Sequence, residues 1–253
     1  MVVHPDISAF SIRLRAAADT QITFTKTNEI YTAPLYLGGS LTKFDLIYDT
    51  TIPETSIAVT TCSNCSGVTK YDSAASGTFA WTGVTKTLEF TDGSKAEGEQ
   101  CTEKVCAINS GTACINSYKM LCVKSVSNQT KAVSGRVGLE RMGTMSDKTS
   151  CYMEQLFTAS VISQKTFSLS FDAGNTSFLD FGPPVTGSMQ AGTTVTYIPV
   201  KGSETRWTNS VDGFYFSSNA QKWTTASKLA VIDSTQATIA GPKAEVEFFI
   251  TYL

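Results

Sequence analysis

The chain has 253 residues, of which 42% are hydrophobic and 17% charged, and its formal net charge is -2. That length can bury a sizeable core, and the balance of apolar and charged residues excludes a disordered chain. No run of Lys or Arg is present to neutralise a phosphate backbone, which argues against a nucleic-acid partner. No apolar stretch approaches the roughly eighteen residues of a membrane span.

In chain order, the signals are mainly those of strands. Phe10 to Arg15 alternates like an edge strand, and residues 16–19 read as a linker or a short turn. The N-terminus, from Met1 to Asp6, lacks the basic start and apolar run of a signal peptide, so a secreted form is expected to have had its leader removed. Strands are predicted over Ile30 to Leu37, Phe44 to Tyr48, Ser56 to Thr60, Thr87 to Phe90 and Phe167 to Phe171, each rich in β-branched or aromatic residues. A Gly174-Asn175 turn into Ser177 to Phe181 predicts a hairpin. Short helices are predicted over Ser150 to Ser160 and Pro242 to Tyr252, and Gly182-Pro183-Pro184 is a candidate lobe boundary.

Seven cysteines are present, six of them between Cys62 and Cys122, together with N-x-S/T acceptor sites at Asn64, Asn128 and Asn175. Dense cysteines with three such sites favour an oxidising compartment, so Cys62, Cys65, Cys101, Cys106, Cys114 and Cys122 are disulfide candidates. An odd count leaves one thiol over. A zinc site is the competing reading of Cys62-x-x-Cys65, but Cys101 and Cys106 are spaced too openly for its second half, and no metal or other cofactor is expected.

His4 is the sole histidine, which removes Ser-His-Asp, Cys-His and multi-histidine metal chemistry. Carboxylate chemistry remains. Phe44 to Asp49 and Leu229 to Asp233 are each an apolar run delivering one Asp, followed by a hydroxyl residue, Thr50 or Ser234. Two such carboxylates brought together would share a proton and hold a water for attack on an amide carbonyl. Taken singly, each is more simply a strand-end Asp capping a turn.

The order of motifs resembles the pepsin-type aspartic proteases over residues 29–242. Tyr31 to Gly39 is similar to the opening strand and turn of that family's first lobe, and Asp49-Thr50 falls at its first catalytic motif. Ser134-Gly135-Arg136-Val137-Gly138-Leu139 resembles the D-G-I-L-G-L segment that closes a ψ-shaped loop. Trp207 to Gly213 and Val231 to Pro242 resemble the entry to the second motif. The resemblance implies an all-β, bilobal fold: an extension or edge strand over 1–28, a first lobe over 29–185, and the first part of an incomplete second lobe over 186–253. It implies Asp49 and Asp233 as the catalytic dyad, with Thr50 and Ser234 supporting them. It also implies that Phe90, Asp92 and Gly93 belong to the flap that closes on substrate.

Several positions depart from the pattern. The glycine that follows Asp-Thr or Asp-Ser in the family is replaced by Thr51 and Thr235, which are expected to crowd the site. Phe90 stands where the flap carries Tyr, and Ala58 where a supporting Trp is usual. Two readings follow. One is a secreted, extracellular or lysosomal/vacuolar homologue, catalytically impaired, that binds a polypeptide or assembles with itself or with a second chain completing its C-terminal lobe. The other is an acid endopeptidase using Asp49 and Asp233 on a polypeptide substrate.

Overall fold

The computed structural model describes residues 19–27, 30–129, 131–141, 148–171, 176–183, 194, 196–201, 206–215, 222–223, 228–236 and 240–251. The strand expected over Phe10 to Arg15, His4, the turn at Gly174-Asn175 and Pro184 lie outside them.

Among the described residues the chain is mainly β. The first eight strands are β1 (Thr20–Thr27), β2 (Ile30–Leu37), β3 (Thr42–Asp49), β4 (Ser56–Ala58), β5 (Ala80–Glu89), β6 (Lys95–Cys106), β7 (Cys114–Ser127) and β8 (Gly135–Gly138). After helix α1 (Tyr152–Thr158) come β9 (Phe167–Ser170) and β10 (Ser177–Phe181). Together these strands form a ten-stranded sheet in the order β5-β6-β7-β4-β8-β3-β2-β1-β10-β9. The expected hairpin of β9 and β10 is present, with Leu169 opposite Leu179. The first strand falls within the expected extension or edge strand over 1–28 but lies inside the sheet: its alternation buries Thr20, Ile22 and Phe24, and it pairs with β10 at one end and β2 at the other.

The centre of this sheet positions the first Asp. Strand β3 runs parallel to β8, with Ile47 opposite Arg136 and Asp49 opposite Gly138. Strand β4 runs antiparallel to β8 on its other side and parallel to β7. The chain therefore leaves β3 at Asp49, loops around, and returns beside the strand that flanks its own motif. Two glycines permit that closure. A Cβ on Gly135 would stand 2.0 Å from the Ser56 carbonyl oxygen, and one on Gly138 2.6 Å from the Pro53 carbonyl carbon. No side chain fits at either place.

The main core lies under this crossover. Leu35, Leu46, Tyr48, Ile57, Tyr118, Met120, Leu139, Tyr152, Leu156 and Phe181 are fully or almost fully buried within it. Helix α1 contributes Tyr152 and Leu156 from one face, four residues apart, as helical periodicity requires. A smaller cluster of Ala58, Cys62, Cys65, Ala96, Leu121 and Val123 packs on the far side of β4, with Phe90 against it.

The later chain forms β11 (Thr208–Ser210), β12 (Phe214–Tyr215), β13 (Lys222–Trp223), β14 (Leu229–Val231) and helix α2 (Lys243–Thr251). Pairing of β11 with β14 sets Thr208 opposite Val231. Trp207 fastens this segment to the large sheet: its indole nitrogen donates to the Leu139 carbonyl at 2.8 Å, and its ring meets Phe167 edge-on at 5.5 Å. The backbone carbonyl of Trp207 in turn accepts from Ile232 N at 3.0 Å. Asp233 is thus delivered beside β8.

Candidate active site

Asp49 ends a strand whose last four residues are all buried, and its carboxylate is fully enclosed. An enclosed carboxylate must find donors. One oxygen, Oδ1, accepts from Thr51 N at 2.8 Å and from Thr51 Oγ1 at 2.6 Å. The second oxygen, Oδ2, accepts from Arg136 Nη1 at 2.9 Å. Asp233 is built the same way. Its Oδ1 accepts from Thr235 N at 2.8 Å and Thr235 Oγ1 at 2.7 Å, and its Oδ2 accepts from Thr91 Oγ1 at 3.1 Å.

The two motifs are bound to each other through the residues that follow each Asp. Thr50 N donates to Ser234 Oγ at 3.0 Å, and Ser234 N donates to Thr50 Oγ1 at 3.0 Å. Each hydroxyl then passes its proton across: Thr50 Oγ1 to the Ile232 carbonyl at 2.8 Å, Ser234 Oγ to the Tyr48 carbonyl at 2.6 Å. Every hydroxyl here both donates and accepts, so the pairing is fully satisfied and nearly two-fold symmetric. Lys131 adds a further tie, donating to the Thr235 carbonyl at 2.6 Å.

Thr51 and Thr235 do not obstruct the carboxylates. Each donates its hydroxyl to its own Asp, closing a local ring that a glycine could not form. The expectation that they crowd the site is replaced by this geometry. Arg136 is a site residue that was not among those expected. It stands in a glycine-flanked β-strand where the family places an apolar residue. A charge within an otherwise apolar strand was the available signal.

Residues Phe90 to Ser94 form the tip of the β5-β6 hairpin, closed by Phe90 N to the Ser94 carbonyl at 2.9 Å, with Gly93 at φ +79 in the left-handed region. This tip lies on the paired motifs. Arg136 Nη2 donates to Asp92 Oδ2 at 2.9 Å, while the Phe90 ring sits 4.0 Å from the guanidinium carbon. Arg136 is therefore shared between Asp49 on the floor and Asp92 on the tip, with an aromatic face covering it. Beside it, Ala58, Cys65, Phe90, Val123, Lys131 and Arg136 line a small cavity. Loss of a large ring at Ala58 is consistent with that space.

The disulfides join Cys62 to Cys65, Cys101 to Cys122 and Cys106 to Cys114. The last two staple β6, one arm of that hairpin, to β7. Cys151 keeps a buried free thiol. Asn64 is exposed, and its amide pairs with the Val126 backbone, donating to the carbonyl and accepting from the nitrogen at 2.8 Å. Asn128 is exposed in a left-handed conformation, and Asn175 lies outside the described residues. Among the described residues no cluster of His, Cys, Asp or Glu could hold a metal, and no helix is long and apolar enough to cross a membrane.

Comparison with curated proteins gave no match. The family described as eukaryotic aspartyl protease matches residues 30–252, nearly the whole chain beyond its first strand. With its all-β fold, the ψ-shaped crossover at Asp49 and the paired Asp-Thr and Asp-Ser loops, the chain belongs to the eukaryotic aspartyl protease family, of pepsin-like fold.

Proposed function

We propose that this protein is a catalytically impaired aspartyl protease homologue whose cleft binds polypeptide without efficient hydrolysis. The observation that carries this reading is the ion pair of Asp49 with Arg136. An aspartic dyad works because two adjacent carboxylates cannot both carry charge and so share one proton, which positions and polarises the attacking water. A cation bonded to one carboxylate supplies the neutralising charge instead. It also occupies Oδ2, while Thr51 occupies Oδ1, so Asp49 has donors on both oxygens and Arg136 stands at the carboxylate where a water would be activated.

The reading is tested by digestion of a denatured protein at acid pH, comparing the parent with Arg136→Leu and with Arg136→Leu/Asp49→Ala. Negligible cleavage by the parent is expected. Robust cleavage by the parent that disappears in a further, single Asp49→Ala variant would establish the second reading, an acid endopeptidase with Asp49 and Asp233 as its dyad. That alternative draws support from the intact Thr50-Ser234 pairing.

Three disulfides within the first half of the chain support an extracellular or lysosomal/vacuolar location. Exposure of Asn64 and Asn128 supports glycosylation there. Assembly with another chain is supported by the apolar side chains of Leu229, Val231 and Ile232, which are 42 to 51% exposed beside the second motif.

A further inference from the structure

The hairpin tip makes bonds in the cleft that a bound chain would have to replace. Its Thr91 gives a hydroxyl to Asp233, and its Asp92 gives a carboxylate to Arg136. We infer that Thr91-Asp92 is an internal stand-in for ligand, and that the cleft selects an acidic polypeptide segment, a hydroxyl residue followed by a carboxylate, through Arg136 Nη2. This rests on the polypeptide-binding reading and specifies which polypeptide.

Arg136 joins the tip to the floor of the site. Its side chain is 5% exposed, and its planar fork divides between two carboxylates, Nη1 to Asp49 and Nη2 to Asp92. The two partners differ in origin. Asp49 is fixed at the end of β3 in the sheet, whereas Asp92 belongs to the turn of a hairpin. A polypeptide entering over the motifs must lift that turn, and Asp92 and Phe90 leave with it. Nη2 then loses both its acceptor and the ring that shields it. A buried guanidinium N–H without an acceptor is costly, more so than a neutral one. A neutral or basic segment does not offset that loss. A carboxylate does, and guanidinium is well matched to carboxylate geometry.

With the tip lifted, Asp49 stays on Arg136 Nη1, and an incoming carboxylate takes the place on Nη2 that Asp92 holds in the closed state. Asp233 Oδ2 is left to accept from a hydroxyl, as it does from Thr91.

The experiment uses labelled synthetic peptides carrying the tip sequence Phe-Thr-Asp-Gly-Ser, with Asn or Lys replacing Asp, titrated by fluorescence anisotropy against the full chain and Asp92→Asn. The Asp peptide is expected to bind Asp92→Asn about tenfold more tightly than the parent, because the internal competitor has lost its charge. On that variant the Asn and Lys peptides should bind at least about tenfold more weakly than the Asp peptide. Arg136→Lys, which keeps a charge but loses the fork, should narrow the Asp-over-Asn preference. Equal binding of all three peptides to Asp92→Asn overturns the acidic preference and leaves polypeptide binding standing. Binding of none of them, with an unrelated unfolded protein also failing to bind, overturns both.

Discussion

Arg136 and Asp49 meet at 2.9 Å with side chains 5% and 0% exposed, so each is the other's counter-charge in a site nearly closed to water. Removing one member of such a pair strands the other. Arg136→Leu is expected to lower unfolding free energy by about 3–5 kcal/mol. Arg136→Leu/Asp49→Asn should recover part of that loss, because Asp49 then carries no stranded charge while Asp92, which also loses Arg136, keeps its bonds from Ser94. Denaturant unfolding of the two variants and Asp49→Asn completes the cycle. Additive losses would show that the two side chains do not interact.

Thr51 tests the role of the residue that replaces the family's glycine. Its hydroxyl donates to Asp49 at 2.6 Å in a buried site. Thr51→Val keeps the branched shape and removes only that donor, so a loss of about 1.5–3 kcal/mol is expected, as for other hydrogen bonds to a charged group. Thr51→Gly should lose at least as much and gain no peptidase activity, since Arg136 still holds Asp49. Cleavage appearing in Thr51→Gly alone would place the defect at the threonine.

Some of this arrangement is legible in the sequence. Ile30–Leu37, Thr42–Asp49 and the β9-β10 hairpin carry β-branched or aromatic residues in period-two patterns, and the delivery of Asp49 and Asp233 by apolar strands followed by hydroxyls is local. The long strands β5 and β6 are largely hidden. Most side chains of Ala80–Glu89 face solvent, and Lys95–Cys106 buries Gln100 and Glu103 among its inward positions, so polar residues mask the alternation. Arg136 is missed for a different reason. Its partner is set by the parallel pairing of β3 with β8, between residues far apart in sequence, and no local pattern encodes which carboxylate it will face.

Alkaline pH should unfold the protein through its core phenols. Loss of hydration on burial pushes Tyr48, Tyr118 and Tyr152 above the ordinary phenol value of 10.0. Above that pH the unfolded chain gives up protons that the folded chain retains. Stability is therefore complete below about pH 10 and falls as pH rises past it, by about 1.4 kcal/mol per pH unit for each phenol. Tyrosinate absorbance and circular dichroism, followed together during alkaline titration, should show these phenols ionising only with unfolding. Ionisation of all nine tyrosines at their ordinary value in a still-folded chain would contradict the burial.

Thiol labelling separates the cysteines that staple the hairpin from the one that does not. Six of the seven are paired, and Cys151, at the entry to α1, is 4% exposed with its thiol pKa pushed up by burial. Alkylation requires the thiolate and access to it, and Cys151 is short of both. The native protein should therefore take up essentially no iodoacetamide near neutral pH. One equivalent should react in denaturant, and seven after denaturation and reduction. Mass spectrometry of an unreduced digest should recover Cys101 linked to Cys122 and Cys106 to Cys114, the two bonds that join β6 and β7. Selective reduction should then loosen the hairpin before the centre of the sheet, because the two bonds tie β6 to β7 near the β5 edge, whereas β3 and β8 lie inside the sheet. Hydrogen exchange after mild reduction reads this directly: earlier exchange is expected at β5 and β6 than at β3 and β8. Five or more reactive thiols in the unreduced, denatured chain would contradict the pairing and the oxidising compartment inferred from it.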